Sequence, residues 1–283
     1  MANAIYDKEL SEILTRLWNV DDNRCTPGLD YKLNLQGFVT ATKGNLRDKA
    51  SQNLFLHFNE DRIFNKPTIK AFISLLDNYA INVSEAETET DLERGEVDNF
   101  LSTIVATRVM KETHKYLNSR NMVGASEDDF KKLLFDIWFK MYKRSSTDKN
   151  VNSCGFEHVF VGEMRSNEII GFHNWLQIYL QEKVGNLDYM GFFRRGTTDK
   201  SEPTPHFLTH QFRWRGELKP IVSTMIGRSP EFEMAMYTIA HLCLSAAGKR
   251  EVHVHLDEYD VMLVVARHGH FGIGTAYLVP STE

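Results

Sequence analysis

Two histidines, His158 in the run GFEHVF and His173 in the run GFHNW, stand fifteen residues apart in the chain. Histidine ordinarily titrates near pH 6.5, so it both gives and takes protons around neutrality. A pair of them is a candidate general acid and general base. Either one alone, beside Phe160 or Trp175, reads more simply as a hydrogen-bonded, half-buried residue. The elements around them set what they can reach. Residues 157–161, Glu-His-Val-Phe-Val, are a β-branched and aromatic run that reads as a strand. His158 and Phe160 would then share one face and Glu157 the other, which disfavours direct pairing of Glu157 with His158. His173 follows Gly171 and precedes Asn174, Trp175, Leu176, Ile178, Tyr179 and Leu180, a helical pattern ending at Lys183 and Gly185. That puts His173 at a helix start, where backbone N–H groups are free.

The first half of the chain reads as helices. Leu10, Ile13, Leu14, Leu17 and Trp18 follow one helical face. Pro67 opens a second helix through Ile69, Phe72, Ile73 and Leu76. A third, long helix carries Phe100, Leu101, Ile104, Val105 and Val109, and Ser126 with Asp129 opens a fourth in the manner of a capping box. Residues 143–153 are polar and lack an apolar period, and strands dominate beyond them. Strands are expected over 187–193, 207–218 (with Phe212, Trp214 and Gly216 alternating), 252–259, 261–266 and 273–278, and a helix over 230–244 with one buried side. Short turns between strands imply antiparallel pairing. The expected fold is therefore α+β, one domain over residues 5–283, with a helical lobe over about 5–145 and an antiparallel-sheet lobe over about 150–283.

Composition sets further bounds. A chain of 283 residues, 25% charged and 42% hydrophobic, buries a sizeable core. No run approaches the roughly 18 apolar residues of a membrane span. Cys25, Cys154 and Cys243 are too few and scattered for a disulfide framework or a CxxC metal site, so reduced thiols are expected. The N-terminus lacks the apolar block of a secretory signal. A cytoplasmic protein is expected, or a secreted one if a signal peptide has been removed. The net charge of −5 is unevenly spread. Residues 85–98 hold seven acids against Arg94, a local net of −6 that leaves the remainder at +1. Residues 190–228 hold Arg194, Arg195, Lys200, Arg213, Arg215, Lys219 and Arg228 against three acids, a stretch suited to phosphates or simply to water.

The runs GFEHVF, GE at Gly162 and Glu163, GFHNW, YLQEK and SPEFEMAMYT resemble the EndoU family of endoribonucleases, which cleave RNA after uridine. The words LW, DDNR and PGLDYKLNLQ extend the likeness back to about residue 9, so it covers nearly the whole chain. The resemblance implies transesterification: a base takes the 2′-hydroxyl proton, an acid protonates the leaving 5′-oxygen, and a cation holds the charged phosphorane. His173 and His158 supply the pair, and Lys219 in GELKPIVS matches the family's catalytic lysine. A distant likeness to the coronavirus uridylate-specific endoribonuclease, confined to the second lobe, implies His173 as base and His158 as acid. The residues alone leave those two roles open. The same likeness marks Ser223 as the base reader and Tyr277, in GTAYLVP, as the aromatic beside it, with Thr224 able to replace Ser223. Glu157 and Glu163 match acidic positions of the family motif and would orient a histidine, ligate a cation or pair with Arg. The family is often activated by manganese or calcium, and no sequence signature fixes where such an ion sits. The implied partner is single-stranded, uridine-containing RNA and not DNA, met by a monomer.

Two other classes stay open on the residues alone. His253, His255, His268 and His270 would make a metal-dependent hydrolase if they shared one site, although Arg267 beside His268 disfavours a cation and no HExxH accompanies them. A binding module that keeps the fold without catalysis would lack one of the three catalytic positions, and none is missing here.

Overall fold

Helices begin where an apolar stripe meets a cap. The computed structural model of the chain describes residues 4–39, 47–194, 205–269 and 271–280. In α1 (Lys8–Asn19) the Asp7 carboxylate accepts the Leu10 N–H at 2.9 Å, and Leu10, Ile13, Leu14, Leu17 and Trp18 are buried along one face. Two short strands that the hydrophobic pattern does not flag, β1 (Tyr31–Leu33) and β2 (Phe55–Phe58), pair next, followed by α2 (Glu60–Ile63) and α3 (Pro67–Ile73).

The long third helix is two helices, α4 (Asp91–Val105) and α5 (Arg108–Ser119). At the break the Thr107 hydroxyl donates to the Ile104 carbonyl and accepts the Met110 N–H, so one side chain closes α4 and caps α5. Thr90 and Glu93 form a reciprocal capping box at the start of α4, which absorbs part of the acidic run. Ser126 caps α6 (Glu127–Trp138) as expected.

Residues 157–161 are not a strand. They form a π-helical turn (Glu157–Val161), with the His158 N–H on the Cys154 carbonyl and the Gly162 N–H on the Glu157 carbonyl. All five side chains are buried. A run with no polar face offers no two-residue alternation, and β-branched composition alone does not separate a strand from a buried turn. The hairpin β3 (Glu163–Arg165) and β4 (Glu168–Ile170) follows, then α7 (Trp175–Lys183) and β5 (Leu187–Phe192). The strand expected over 207–218 is also corrected: it is β6 (Phe207–Trp214) turning into β7 (Glu217–Met225). Arg215 at φ +51° and Gly216 at φ +90° make the two-residue turn that right-twisted strands favour.

The strands β5–β6–β7 form one antiparallel sheet, and β8 (Glu251–Leu256), β9 (Tyr259–His268) and β10 (Gly272–Pro280) form another in the order β10–β9–β8. Helices and antiparallel sheets in one domain are the expected α+β class. Helix α8 (Pro230–Ala246), capped by Ser229, packs on α1, α3, α5 and every strand of the second sheet. It is buried on all sides over residues 230–241, not on one, with Glu231, Glu233, Thr238 and His241 enclosed along with its apolar residues. Because α1 packs on β8, the first and last parts of the chain share a core that runs without a break from Leu10 to Leu278. All three cysteines are unpaired, and no described helix is long and apolar enough to cross a membrane.

Leu14 on α1 is wholly buried in that core. Leu14→Ala should cost about 2–5 kcal/mol and lower the urea midpoint in one transition, seen alike by circular dichroism and tryptophan fluorescence. Two separate transitions would mean that α1 unfolds apart from the sheets.

Candidate active site

The two three-stranded sheets meet along β7 and β10, and a groove of about 650 Å³ lies there. Its walls bring together His158, His173, Lys219, Ser223 and Tyr277, drawn from four separate elements or their ends. Ile169, Ile170 and Gly171, from β4 and the connection to α7, complete the near side.

The two histidine segments are tied through their backbones. The Phe172 N–H donates to the His158 carbonyl at 2.9 Å and the His173 N–H to the Val159 carbonyl at 2.8 Å. Gly171 (φ +64°) and Phe172 (φ +68°) are both left-handed. A Cβ on Gly171 would lie 1.8 Å from the His158 carbonyl oxygen, so only glycine fits. Phe172 tolerates the same conformation because its ring is fully buried against Phe212 and Trp214.

The imidazoles differ in their partners. His158 Nδ1 is 2.5 Å from the Glu163 carboxylate, which also accepts from Arg144 Nη2 at 2.9 Å. Burial pulls His158 below its ordinary pKa, opposed by the bond to Glu163 and helped by the Arg144 charge. Burial alone would raise Glu163, yet the His158 bond and the Arg144 charge hold it below the usual range, so it stays a carboxylate. His158 Nε2 lies 3.1 Å from the Thr275 hydroxyl. His173 Nδ1 faces the Ser223 carbonyl at 3.3 Å, and its ring stacks on Tyr277 at 5.4 Å between centroids. Burial, with the nearby Lys219 and His158 charges, depresses His173 to about 3. Lys219 Nζ donates to the Ile169 carbonyl at 3.0 Å, and burial lowers its pKa to about 8. One neutral imidazole, one imidazole backed by a carboxylate, and one ammonium thus share a groove suited to moving two protons around an anion.

The family model for the endoribonuclease XendoU matches residues 9–278. The chain is 45% identical to the poly(U)-specific endoribonuclease-B of Xenopus laevis, over 95% of this chain and 92% of that one. It is 42% identical to the uridylate-specific endoribonuclease B of Danio rerio, over 97% and 96%. A solved structure of XendoU, described as a splicing-independent snoRNA-processing endoribonuclease, superposes with a TM-score of 0.85 at 41% identity over 99% of both chains. The chain belongs to the XendoU family of endoribonucleases. It is an enzyme, and the substrate of its family is RNA.

Within this XendoU fold several expected site residues lie elsewhere. Thr224 is not in the groove: strand residues alternate faces, and it is buried on the other side of β7 with its hydroxyl 3.0 Å from His210 Nε2. Glu157 is not in the groove either. The π-helical turn carries it into the interior, where neither carboxylate oxygen has a hydrogen-bond partner. Burial first, and then the Glu163 and Glu87 charges, push it well above the carboxylate range, so it is a neutral acid. Glu163 is fully buried behind His158 and positions that ring without reaching the groove. The helix start after His173 is not open to an anion, because Asn174 Oδ1 takes the Leu176 and Gln177 N–H groups.

The basic stretch gives the groove only Lys219 among its described residues. Arg228 is buried over Trp18 beside Asp21, and Arg195 and Lys200 lie outside the described residues. The other cations of the groove are Arg144 and Arg165. Three of the four histidines of the rival metal site do not meet: His253 and His255 flank Tyr6, whereas His268 stacks on Tyr142 at the far end of β9. His270 lies outside the described residues. Among the described residues no three His, Cys, Asp or Glu side chains are arranged to hold a metal ion. Glu157 and Glu163 offer oxygens of the kind that manganese or calcium prefers, but calcium takes six to eight such ligands. The expected activating cation therefore has no complete donor set among the described residues. Thr275 and Arg144 are site residues that the sequence pattern does not single out. Thr275 shares a strand face with Tyr277, a two-residue spacing that could have flagged it, whereas Arg144 sits in a polar connection with no period.

Gly171→Ala should nearly abolish RNA cleavage, because its Cβ must push the two histidine segments apart. Gly185→Ala, also at positive φ (+74°) but with nothing within 4 Å of the added carbon, should keep activity while costing about 1 kcal/mol in stability. Equal cleavage rates for the two folded variants would show that the close approach at Gly171 does not set the catalytic geometry.

Proposed function

We propose that this chain cleaves single-stranded RNA at uridines, using the 2′-hydroxyl of the uridine as nucleophile, His173 as base, His158 as acid and Lys219 as the cation on the phosphorane. The observation that carries the reading is the contrast between the two Nδ1 partners. A carbonyl only accepts, so His173 Nδ1 carries the proton and Nε2 keeps the lone pair that a base requires. A carboxylate on His158 Nδ1 favours the imidazolium that an acid requires. His173 takes the O2′ proton as the O2′–P bond forms. His158 gives its proton to O5′ as the P–O5′ bond breaks, and the ends are a 2′,3′-cyclic phosphate and a 5′-hydroxyl. Lys219 is a compact charge suited to the oxygens that gain charge on the way.

Relatives named for poly(U) and uridylate support uridine as the choice. Ser223, with its hydroxyl 3.0 Å from Thr209 Oγ1, borders the groove where a pyrimidine edge would lie, and Tyr277 supplies a flat wall. The complete set comes from one chain, which fits a monomeric enzyme.

His158→Ala, His173→Ala and Lys219→Ala should each leave the fold intact and remove most activity, since each proton-transfer role is worth about 10² to 10⁴-fold. The double histidine variant should be little worse than either single one, because groups serving one transition state are not additive. Mass analysis of the ends decides the chemistry: a 5′-phosphate, or cleavage at 2′-deoxyuridine, would rule out 2′-hydroxyl attack.

The free enzyme's pH profile follows from the same groups. Lys219 is charged below about pH 8 and loses its proton as pH rises through that value. His158, held below its ordinary pKa, loses its proton earlier. The kcat/KM should therefore fall steadily on the alkaline side, and a flat profile from about pH 6.5 to 9 would remove both groups from their roles.

For the base, Ser223→Ala should narrow the kcat/KM ratio between matched oligonucleotides holding one U or one C, because an unpaired polar edge is what rejects the wrong base. An unchanged ratio takes Ser223 out of the base site.

A further inference from the structure

Asn174 directly follows His173 and caps α7 through Oδ1, which accepts the Leu176 and Gln177 N–H groups at 3.0 and 3.1 Å. A cap needs only that oxygen, and serine or aspartate would serve as well. What asparagine adds is a donor, and Asn174 Nδ2 spends it on Glu233 Oε1 of α8, 3.0 Å away and fully buried. Glu233 lies in the first turn of α8, two residues after the equally buried Glu231, and a carboxyl group so fully withdrawn from water is costly unless it is hydrogen-bonded. The same end of α7 makes two more contacts, one with the last residue of β7 and one with the chain that leads from it to α8. The Asn174 backbone bridges Met225, and Trp175 Nε1 donates to the Arg228 carbonyl at 2.9 Å. The Ser223 carbonyl that orients His173 lies two residues before Met225.

We infer that Glu233 is a positioning residue for His173: through Asn174 it locks the start of α7 onto α8 and thereby fixes the imidazole against Ser223 and the groove. This rests on the reading of His173 as the base. Burial holds Glu233 well above the carboxylate range, against the pull of the Asn174 bond, so the group is a neutral acid and glutamine is its mimic. Removing the acceptor frees the Asn174 amide and lets the start of α7 shift, and a displacement of about 1 Å at a reacting group costs on the order of 100-fold in rate.

The test compares Glu233→Gln with Glu233→Met, with Asn174→Ser as a third variant that keeps a capping oxygen and loses the donor. Each is assayed below its melting transition on a single-uridine oligonucleotide. Glu233→Gln should stay within about twofold of the parent kcat, whereas Glu233→Met and Asn174→Ser should lose about 10- to 100-fold in kcat with KM nearly unchanged. In a carbon-13 NMR spectrum the His173 ring signal, assigned by its absence in His173→Ala, should move in the Met and Ser variants and stay in place in the Gln variant. A Met variant with full kcat and an unmoved His173 signal overturns the inference, as does a Gln variant as impaired as the Met one. If the parent protein does not cleave the oligonucleotide, the proposed function fails on its own, and the His173 signal still decides whether Glu233 positions the ring. Should Glu233→Met not fold, Asn174→Ser decides by the same two readouts, and full kcat with an unmoved signal in that variant overturns the inference.

Discussion

Two backbone hydrogen bonds, from Phe172 to the His158 carbonyl and from His173 to the Val159 carbonyl, fix how the two imidazoles face one groove. Each is worth only about 1 kcal/mol net, which does not exceed the roughly 1–3 kcal/mol of strain in a left-handed residue such as Phe172. The clasp therefore depends on what surrounds it. Burying the Phe172 side chain against Phe212 and Trp214 contributes about 1.5–3 kcal/mol, and the fully buried Trp175 anchors the helix that follows. The placement of the two imidazoles is thus held by packing that begins on the neighbouring sheet and continues into α8.

The same burial sets the charge states. Water would leave two histidines and a lysine near their ordinary pKa values. In the groove, desolvation makes His173 a neutral imidazole and brings Lys219 down to about 8. Lys219 disfavours a proton on His173, while Glu163 steadies one on His158. A phosphodiester entering the groove would bring negative charge, which raises the proton affinity of Lys219 and His158. The buried carboxylate stays behind the imidazole: Glu163 meets Arg144 and His158, which line the groove, without lining it itself.

Much of this is legible in the sequence because it is local. The stripes of α1 and α6 and the helix after Asn174 follow from spacing and capping residues that act within a few positions. The motifs around His158, His173 and Lys219 resemble a family that the comparisons bear out. Where pattern and structure part, the cause is of the opposite kind. The run at 157–161 is buried on every side, so alternation has nothing to alternate with, and a π-helical turn passes for a strand. Thr107 breaks a helix that its apolar spacing continues, because its hydroxyl serves both ends at once. At Arg215 and Gly216 the chain reverses within two residues, a turn hidden inside one long apolar alternation.

The sequence by itself determined the mix of helices and strands, the unpaired cysteines and the family motifs that carry His158, His173 and Lys219, since residue type and near-neighbour spacing are written directly in the chain. Only the tertiary structure decided which groups meet. It set Ser223 into the groove and Thr224 out of it, hid Glu157 while placing Glu163 behind His158, and brought Thr275 and Arg144 from distant elements to the same site. Those outcomes depend on strand parity, on the direction a buried turn takes, and on contacts between residues more than a hundred positions apart. None of these leaves a periodic trace in the sequence, because each is fixed by what packs on the other side.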